Sequence, residues 1–294
     1  MKYLLIIFLS LPLVAIEYSP LAINSIFYQP LLKDKTKIDL EKSFKTLHKF
    51  GIKQVILQWT KHGVVDFTKE TSYINNILSY GEKYHIKIIF GLYADPDYFY
   101  MIGDKKLDLK IYLKSLKKEN IAQALRVHNI VKTHNSFDGW YIYDELDDVH
   151  FKEKSRQTIL KDYLQVLANS LNKIAKKHIY ISGFYTKKMT PKEFSQMFSY
   201  ILQDKYTFML QSGVGAKLLT QNEYKQFLNK FSKNYKKNFI PIVEAFHTNY
   251  TSFKVQIATV KSILKNPKVN LFSLRYFITD SFLKNYKNNH KIKR

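Results

Sequence analysis

The chain has no cysteine, only nine glycines and seven prolines, and about half as many acidic as basic residues. Without cysteine, disulfides, thiolate catalysis, zinc ribbons and iron–sulfur clusters are excluded. Long apolar runs are scarce too. The mean hydropathy is −0.28, too polar for a polytopic membrane protein, and a single N-terminal stretch is apolar enough to concern a membrane. No linker, low-complexity tract or internal repeat divides the chain. What is present rules out disorder: 46% of the 294 residues are hydrophobic and 15% aromatic, enough to bury a sizeable core.

The charge is lopsided, with 47 Lys and Arg against 24 Asp and Glu, a net +23. The lysines are spread over nearly every predicted helix and no recognition motif accompanies them, so the reading is of no nucleic-acid partner. A polyanion-binding surface protein is kept as a third possibility, since basic surfaces attract polyanions.

The N-terminus reads as an address. Lys2 precedes an apolar run from Tyr3 to Leu9 that resumes through Ala15, the layout of a signal peptide with a small residue at which to cut. The run is shorter than the roughly 20 residues of a spanning helix. Cleavage after Ala15 is expected, giving a signal peptide over 1–15, a barrel domain over 16–294 with a short basic tail, and no stable membrane insertion after cleavage. The expected location is the periplasm or outside the cell.

Beyond residue 15, β-rich runs alternate with stretches of helical period. The strand candidates are Leu21–Gln29, Ile52–Trp59, Ile86–Tyr93, Asp138–Glu145, His178–Tyr185, Tyr206–Gln211, Phe239–Phe246 and Val269–Phe277. Most are apolar through their centres, as strands covered on both faces should be. Thr190-Pro191-Lys192-Glu193 and Thr220-Gln221-Asn222-Glu223 are capping boxes that open helices. Eight β/α units in about 260 residues is the arithmetic of a single (β/α)8 TIM barrel, an α/β fold. An open doubly wound sheet would usually carry a glycine-rich turn after its first strand; here that turn is Tyr28-Gln29-Pro30.

A barrel does its chemistry at the C-terminal ends of its strands, and the scarce acids gather there. Asp95 and Asp97 follow strand 3, Asp144, Glu145, Asp147 and Asp148 close strand 4, Glu244 ends strand 7, and Asp280 lies past strand 8. Period-2 alternation puts Tyr141, Tyr143 and Glu145 on one face and Trp140, Ile142 and Asp144 on the other. Carboxylates from strands 4 and 7 can converge across the mouth, one raised as general acid and one ionised as nucleophile, the division of labour of glycoside hydrolysis. Each alone could equally be a structural acid. Gln29, Gln58, Trp59, Tyr93, Asp95, Asp97, Tyr143, Asp144, Tyr185, Gln211 and Arg275 complete the candidate substrate-binding set. Aromatic residues at strand ends serve as sugar platforms or as core filler. Arg275 could orient Glu244, bind an anionic substrate or form a structural ion pair. His62 and His247 lack metal-ligand spacing, the aspartates after strand 4 match no calcium loop, and neither metal nor cofactor is expected.

Gln58-Trp59-Thr60 after Val55-Ile56-Leu57, together with Gly139-Trp140-Tyr141-Ile142-Tyr143-Asp144-Glu145, resemble the motifs of the domain of unknown function 4434 family. That family belongs to the TIM-barrel glycoside-hydrolase superfamily, and the resemblance runs from Gln29 to about Asp280. Wider similarity to clan A retaining glycosidases implies Glu145 as acid/base and Glu244 as nucleophile. Asp144 stands where that clan usually has asparagine. The resulting expectation is an exported glycoside hydrolase acting on a polysaccharide or cell-envelope glycan by a retaining mechanism. The alternative is a non-catalytic carbohydrate-binding barrel, an accessory in polysaccharide export or envelope assembly.

Overall fold

The computed structural model describes residues 23–32, 38–246 and 250–277. Among them, eight parallel strands close into a barrel. They are β1 (Ser25–Tyr28), β2 (Gln54–Leu57), β3 (Lys87–Gly91), β4 (Phe137–Asp147), β5 (His178–Phe184), β6 (Thr207–Gln211), β7 (Phe239–Glu244) and β8 (Asn270–Phe272). Each pairs with its sequence neighbour, and β1 closes on β8 through Ser25↔Asn270 and Ile26↔Leu271. The connecting helices are α1 (Leu40–Lys49), α2 (Thr71–Lys83), α3 (Leu109–Val131), α4 (Lys154–Ile174), α5 (Pro191–Leu202), α6 (Gln221–Asn234) and α7 (Tyr250–Ile263). The TIM-barrel expectation holds. Residues 1–22, with the expected signal peptide, lie outside the described residues, as do His247 and Asp280.

Two cores follow from the pleat. Phe27, Ile56, Ile89, Tyr141, Tyr180, Met209 and Ile242 fill the barrel interior, with Tyr143, Ile240 and Phe272 against them. Alternate residues face outward into a larger layer under the helices, which includes Trp140, Ile142, Ile181, Phe208 and Val243. Strands buried on both faces must be apolar on both, which is why their centres read as continuous hydrophobic runs.

Both capping boxes form: Thr190 accepts from the Glu193 N–H and Thr220 from the Glu223 N–H, with each glutamate returning to the cap backbone. The Thr220 backbone bond, aided by Lys187, pulls the Glu223 carboxyl down to about 2.

Three elements differ from expectation. The third strand stops at Gly91, short of the expected Tyr93, which with Ala94 joins Lys61–His62 and Val65–Asp66 in a small side sheet ahead of a short helix, Tyr98–Gly103. The eighth strand stops at Phe272, and Leu274–Phe277 turns helical. The fourth strand runs to Asp147 and is irregular: Ile142 pairs with Ile181 and Leu146 with Gly183, so Tyr143, Asp144 and Glu145 stand opposite Ser182 alone. Such bulges re-aim side chains next to active sites.

Candidate active site at the barrel mouth

Strand alternation at the end of β4 sends neighbouring carboxylates in opposite directions. Asp144 goes outward beneath α4, where the Tyr163 hydroxyl donates to its Oδ2. It is 1% exposed, its Oδ1 has no hydrogen-bond partner, and burial lifts its carboxyl to about 7. Glu145 goes to the mouth. It is partly buried, it accepts a hydrogen bond from the Gln211 side chain, and burial with the neighbouring charge of Glu244 lifts it to about 7.

Glu244 lies two residues beyond Ile242, on the same inward face of β7. It is 1% exposed. The loop after β6, Ser212-Gly213-Val214-Gly215-Ala216, wraps its carboxylate. The Gly213 N–H donates to Oε1 at 3.1 Å and the Ala216 N–H to Oε2 at 3.1 Å. The Gly215 N–H also donates, and the Ser212 hydroxyl lies within hydrogen-bonding reach. A Cβ on Gly215 would come within 2.8 Å of Glu244 Cβ and 2.7 Å of the Phe246 carbonyl oxygen, so only glycine allows this approach. Burial pushes the Glu244 carboxyl up and the donors pull it down. The two carboxyls are therefore unequal. One is ringed by donors that need an acceptor; the other receives one amide and feels its neighbour's charge.

The remaining candidates divide between the mouth and other surroundings. Gln58, just past the end of β2 and two residues beyond the inward-facing Ile56, is 3% exposed and its Oε1 has no partner. Tyr143 packs edge-on to Trp59, with ring centroids 5.7 Å apart, and its hydroxyl is pushed up to about 12 by burial and by Glu145. Trp59 is held by its Nε1–H to the Pro30 carbonyl at 3.0 Å and lies 4.8 Å from the His62 ring. Gln29 is partly buried, and its carbonyl accepts from Arg275 at 3.1 Å.

Tyr185 sits away from the mouth. It stacks on Phe227 of α6 at 4.1 Å and donates to the Met189 carbonyl. Tyr93 belongs to the side sheet, with Lys61 Nζ 4.9 Å from its ring centroid. Asp95 accepts from the Tyr112 hydroxyl at 2.8 Å and, through its other oxygen, from the Asp97 N–H at 3.0 Å, while Asp97 is exposed at the start of the short helix. Asp147 binds the His150 ring at 2.7 Å, and Asp148 gathers the N–H groups of Thr186, Lys188 and Met189. Among the described residues, no group of three or more His, Asp or Glu could hold a metal ion.

Sequence reasoning passed over the loop around Glu244. Its signal was available: two of nine glycines fall within five residues directly after β6.

A family model for a domain of unknown function, DUF4434, matches residues 23–271, from the entry to β1 into β8. The chain belongs to the DUF4434 family. Within the reach of sequence similarity, the uncharacterized protein YbcH of Escherichia coli (strain K12) is 26% identical over 226 residues, 76% of this chain and 75% of that one. Among solved structures, a "putative alpha-L-fucosidase" from Bacteroides thetaiotaomicron VPI-5482 superposes with a TM-score of 0.65 at 14% identity, covering 99% of this chain and all of that one. A family 39 glycoside hydrolase from Bacteroides cellulosilyticus WH2 gives a TM-score of 0.51 at 13% identity, over 87% of this chain and 56% of that one. At these identities the likeness is one of fold: this DUF4434 member has a glycoside hydrolase-like TIM barrel.

Proposed function

We propose that the protein is an exported glycoside hydrolase that cleaves a polysaccharide or cell-envelope glycan with retention at the anomeric carbon. The observation that carries the reading is the unequal pair: Glu145 raised to about 7 beside a Glu244 whose carboxylate is surrounded by donors. In the first step, protonated Glu145 gives its proton to the glycosidic oxygen as the C1–O bond breaks. A Glu244 oxygen forms the new bond to C1. In the second step, Glu145, now ionised, takes a proton from water, the water oxygen attacks C1, and Glu244 leaves as carboxylate. Gln58, Tyr143, Trp59 and Gln211 contact the sugar in this reading.

A single observation favours a glycan-binding barrel without turnover. Both Glu244 oxygens already accept main-chain N–H donors, which lowers their nucleophilicity. One experiment separates the two. The purified protein is incubated with envelope and secreted polysaccharides, and reducing ends and binding are read together. A hydrolase releases reducing ends, and Glu244→Gln abolishes release while binding persists. A binding barrel releases none, and Glu244→Gln leaves its affinity unchanged.

A further inference from the structure

Strand β6 pairs with β7 up to Gln211↔Ile242, and the Ser212 N–H still reaches the Ile242 carbonyl at 2.9 Å. The chain then turns away around Glu244, and β6 offers no further peptide to that residue. On this side its main-chain N–H and C=O look past the end of β6 toward the helical layer. An unpaired buried main-chain group costs free energy comparable to a lost hydrogen bond.

A side chain from the helical layer fills the gap. Gln256, on α7, is 0% exposed. Its Oε1 accepts from the Glu244 N–H at 2.9 Å, and its Nε2 donates to the Glu244 carbonyl at 2.9 Å. The same Oε1 accepts from the Ser212 hydroxyl at 2.8 Å. The primary amide thus stands in for the missing peptide of β6 and at the same time pins the first residue of the loop that grips the Glu244 carboxylate. Among side chains, only Asn and Gln offer a carbonyl and an N–H in one plane, and the reach from a helix outside the barrel calls for the longer of the two.

We propose that Gln256 is a positioning residue for Glu244, locking the carboxylate and its cradle into one unit through the Glu244 main chain and the Ser212 hydroxyl. The assignment rests on the reading of Glu244 as the working carboxylate. It acts without touching substrate. Removing the clamp frees the β7 terminus from the loop, so the carboxylate and the N–H groups of Gly213, Gly215 and Ala216 no longer meet in a fixed geometry.

The test reads the cradle directly, with no substrate. In 15N-labelled protein, the amide resonances of Gly213, Gly215 and Ala216 should shift together as Glu244 titrates. In Gln256→Met, which keeps the volume and removes both polar groups, that concerted shift should be lost. Gln256→Glu keeps the shape but replaces the donor to the Glu244 carbonyl with an acceptor, and should lose it too; it carries the test where Gln256→Met does not fold. Gln256→Asn should fail to rescue for want of one methylene. Folded variants whose three amides titrate as in the unaltered protein would overturn the proposal and leave Gln256 as packing. On any polysaccharide the protein hydrolyses, the same variants should lose kcat about tenfold or more with KM nearly unchanged; an equal loss through KM alone also overturns it. A protein that hydrolyses nothing yet loses the amide titration in Gln256→Met sinks the hydrolase reading and leaves the clamp standing.

Discussion

Asp144 and Glu145 are consecutive residues with carboxyls raised to about the same value, near 7, yet they sit in different surroundings and answer to different tests. On the proposed retaining mechanism Glu145 works protonated, so kcat/KM on glycan should fall as pH rises through about 7, and Glu145→Gln should erase that limb while sparing substrates whose leaving groups need no proton. The same raised values act on stability. Between the ordinary carboxyl values of 3.8 and 4.5 and about 7, the folded chain binds more protons than the unfolded one, so stability decreases as pH rises across that window. Thermal unfolding at pH 5 and pH 8 should show the higher midpoint at pH 5. Asp144→Asn removes a buried charge at pH 8 and little at pH 5. It should stabilise at pH 8 by about 1–3 kcal/mol, since a tenfold change in proton affinity is worth about 1.4 kcal/mol. A variant that destabilises equally at both pH values would show that the Tyr163 hydrogen bond, rather than the buried charge, dominates there.

At the scale of elements, the mouth depends on places where strands end or falter. β3 can approach β2 closely because Gly91 has no side chain: a Cβ there would lie 2.2 Å from the Gln58 carbonyl oxygen and 2.4 Å from that of Leu57. Main-chain atoms cannot swing aside as a side-chain tip can, so Gly91→Ala should cost about 3 kcal/mol, the upper range for overpacking, read from urea unfolding. It should also displace Gln58 at the mouth. A loss below about 0.5 kcal/mol would mean that β2 and β3 yield to each other freely. At the start of α5, Thr190→Ala deletes one half of a formed capping box and should cost about 1 kcal/mol, read from urea unfolding. In β4, strand alternation turns Glu145 inward and Asp144 outward, and the bulge sets both beside the end of β5, with three residues against one partner.

For the whole molecule, the basic excess and the N-terminal run make separate predictions. N-terminal mass spectrometry of protein from its native host should find residues 1–15 removed; a retained Met1 on cytoplasmic protein would refute export. Glycan binding governed by the mouth should change little between about 50 and 200 mM salt. A polyanion partner neutralised by many lysines would lose affinity by orders of magnitude over that range, as phosphate-backbone binding does. Barrel, strand order and capping boxes could be read from the chain because each rests on local periodicity: apolar runs such as Val55-Ile56-Leu57, helical stripes, and Thr-x-x-Glu starts. Glu145 and Glu244 could be nominated because strand ends are legible and acids there are rare. The division of Asp144 from Glu145 follows strand alternation, whereas the bulge beside them depends on pairing with β5, which no local pattern reveals. Tyr185 has the same strand-end position as a cleft residue, and its stacking on Phe227 is decided by where α6 lands. The cradle around Glu244 and the Gln256 clamp join residues up to 44 positions apart. Local sequence determined which segments are strands and helices; tertiary packing alone decided which polar groups meet, because a hydrogen bond between distant segments depends on the whole barrel closing.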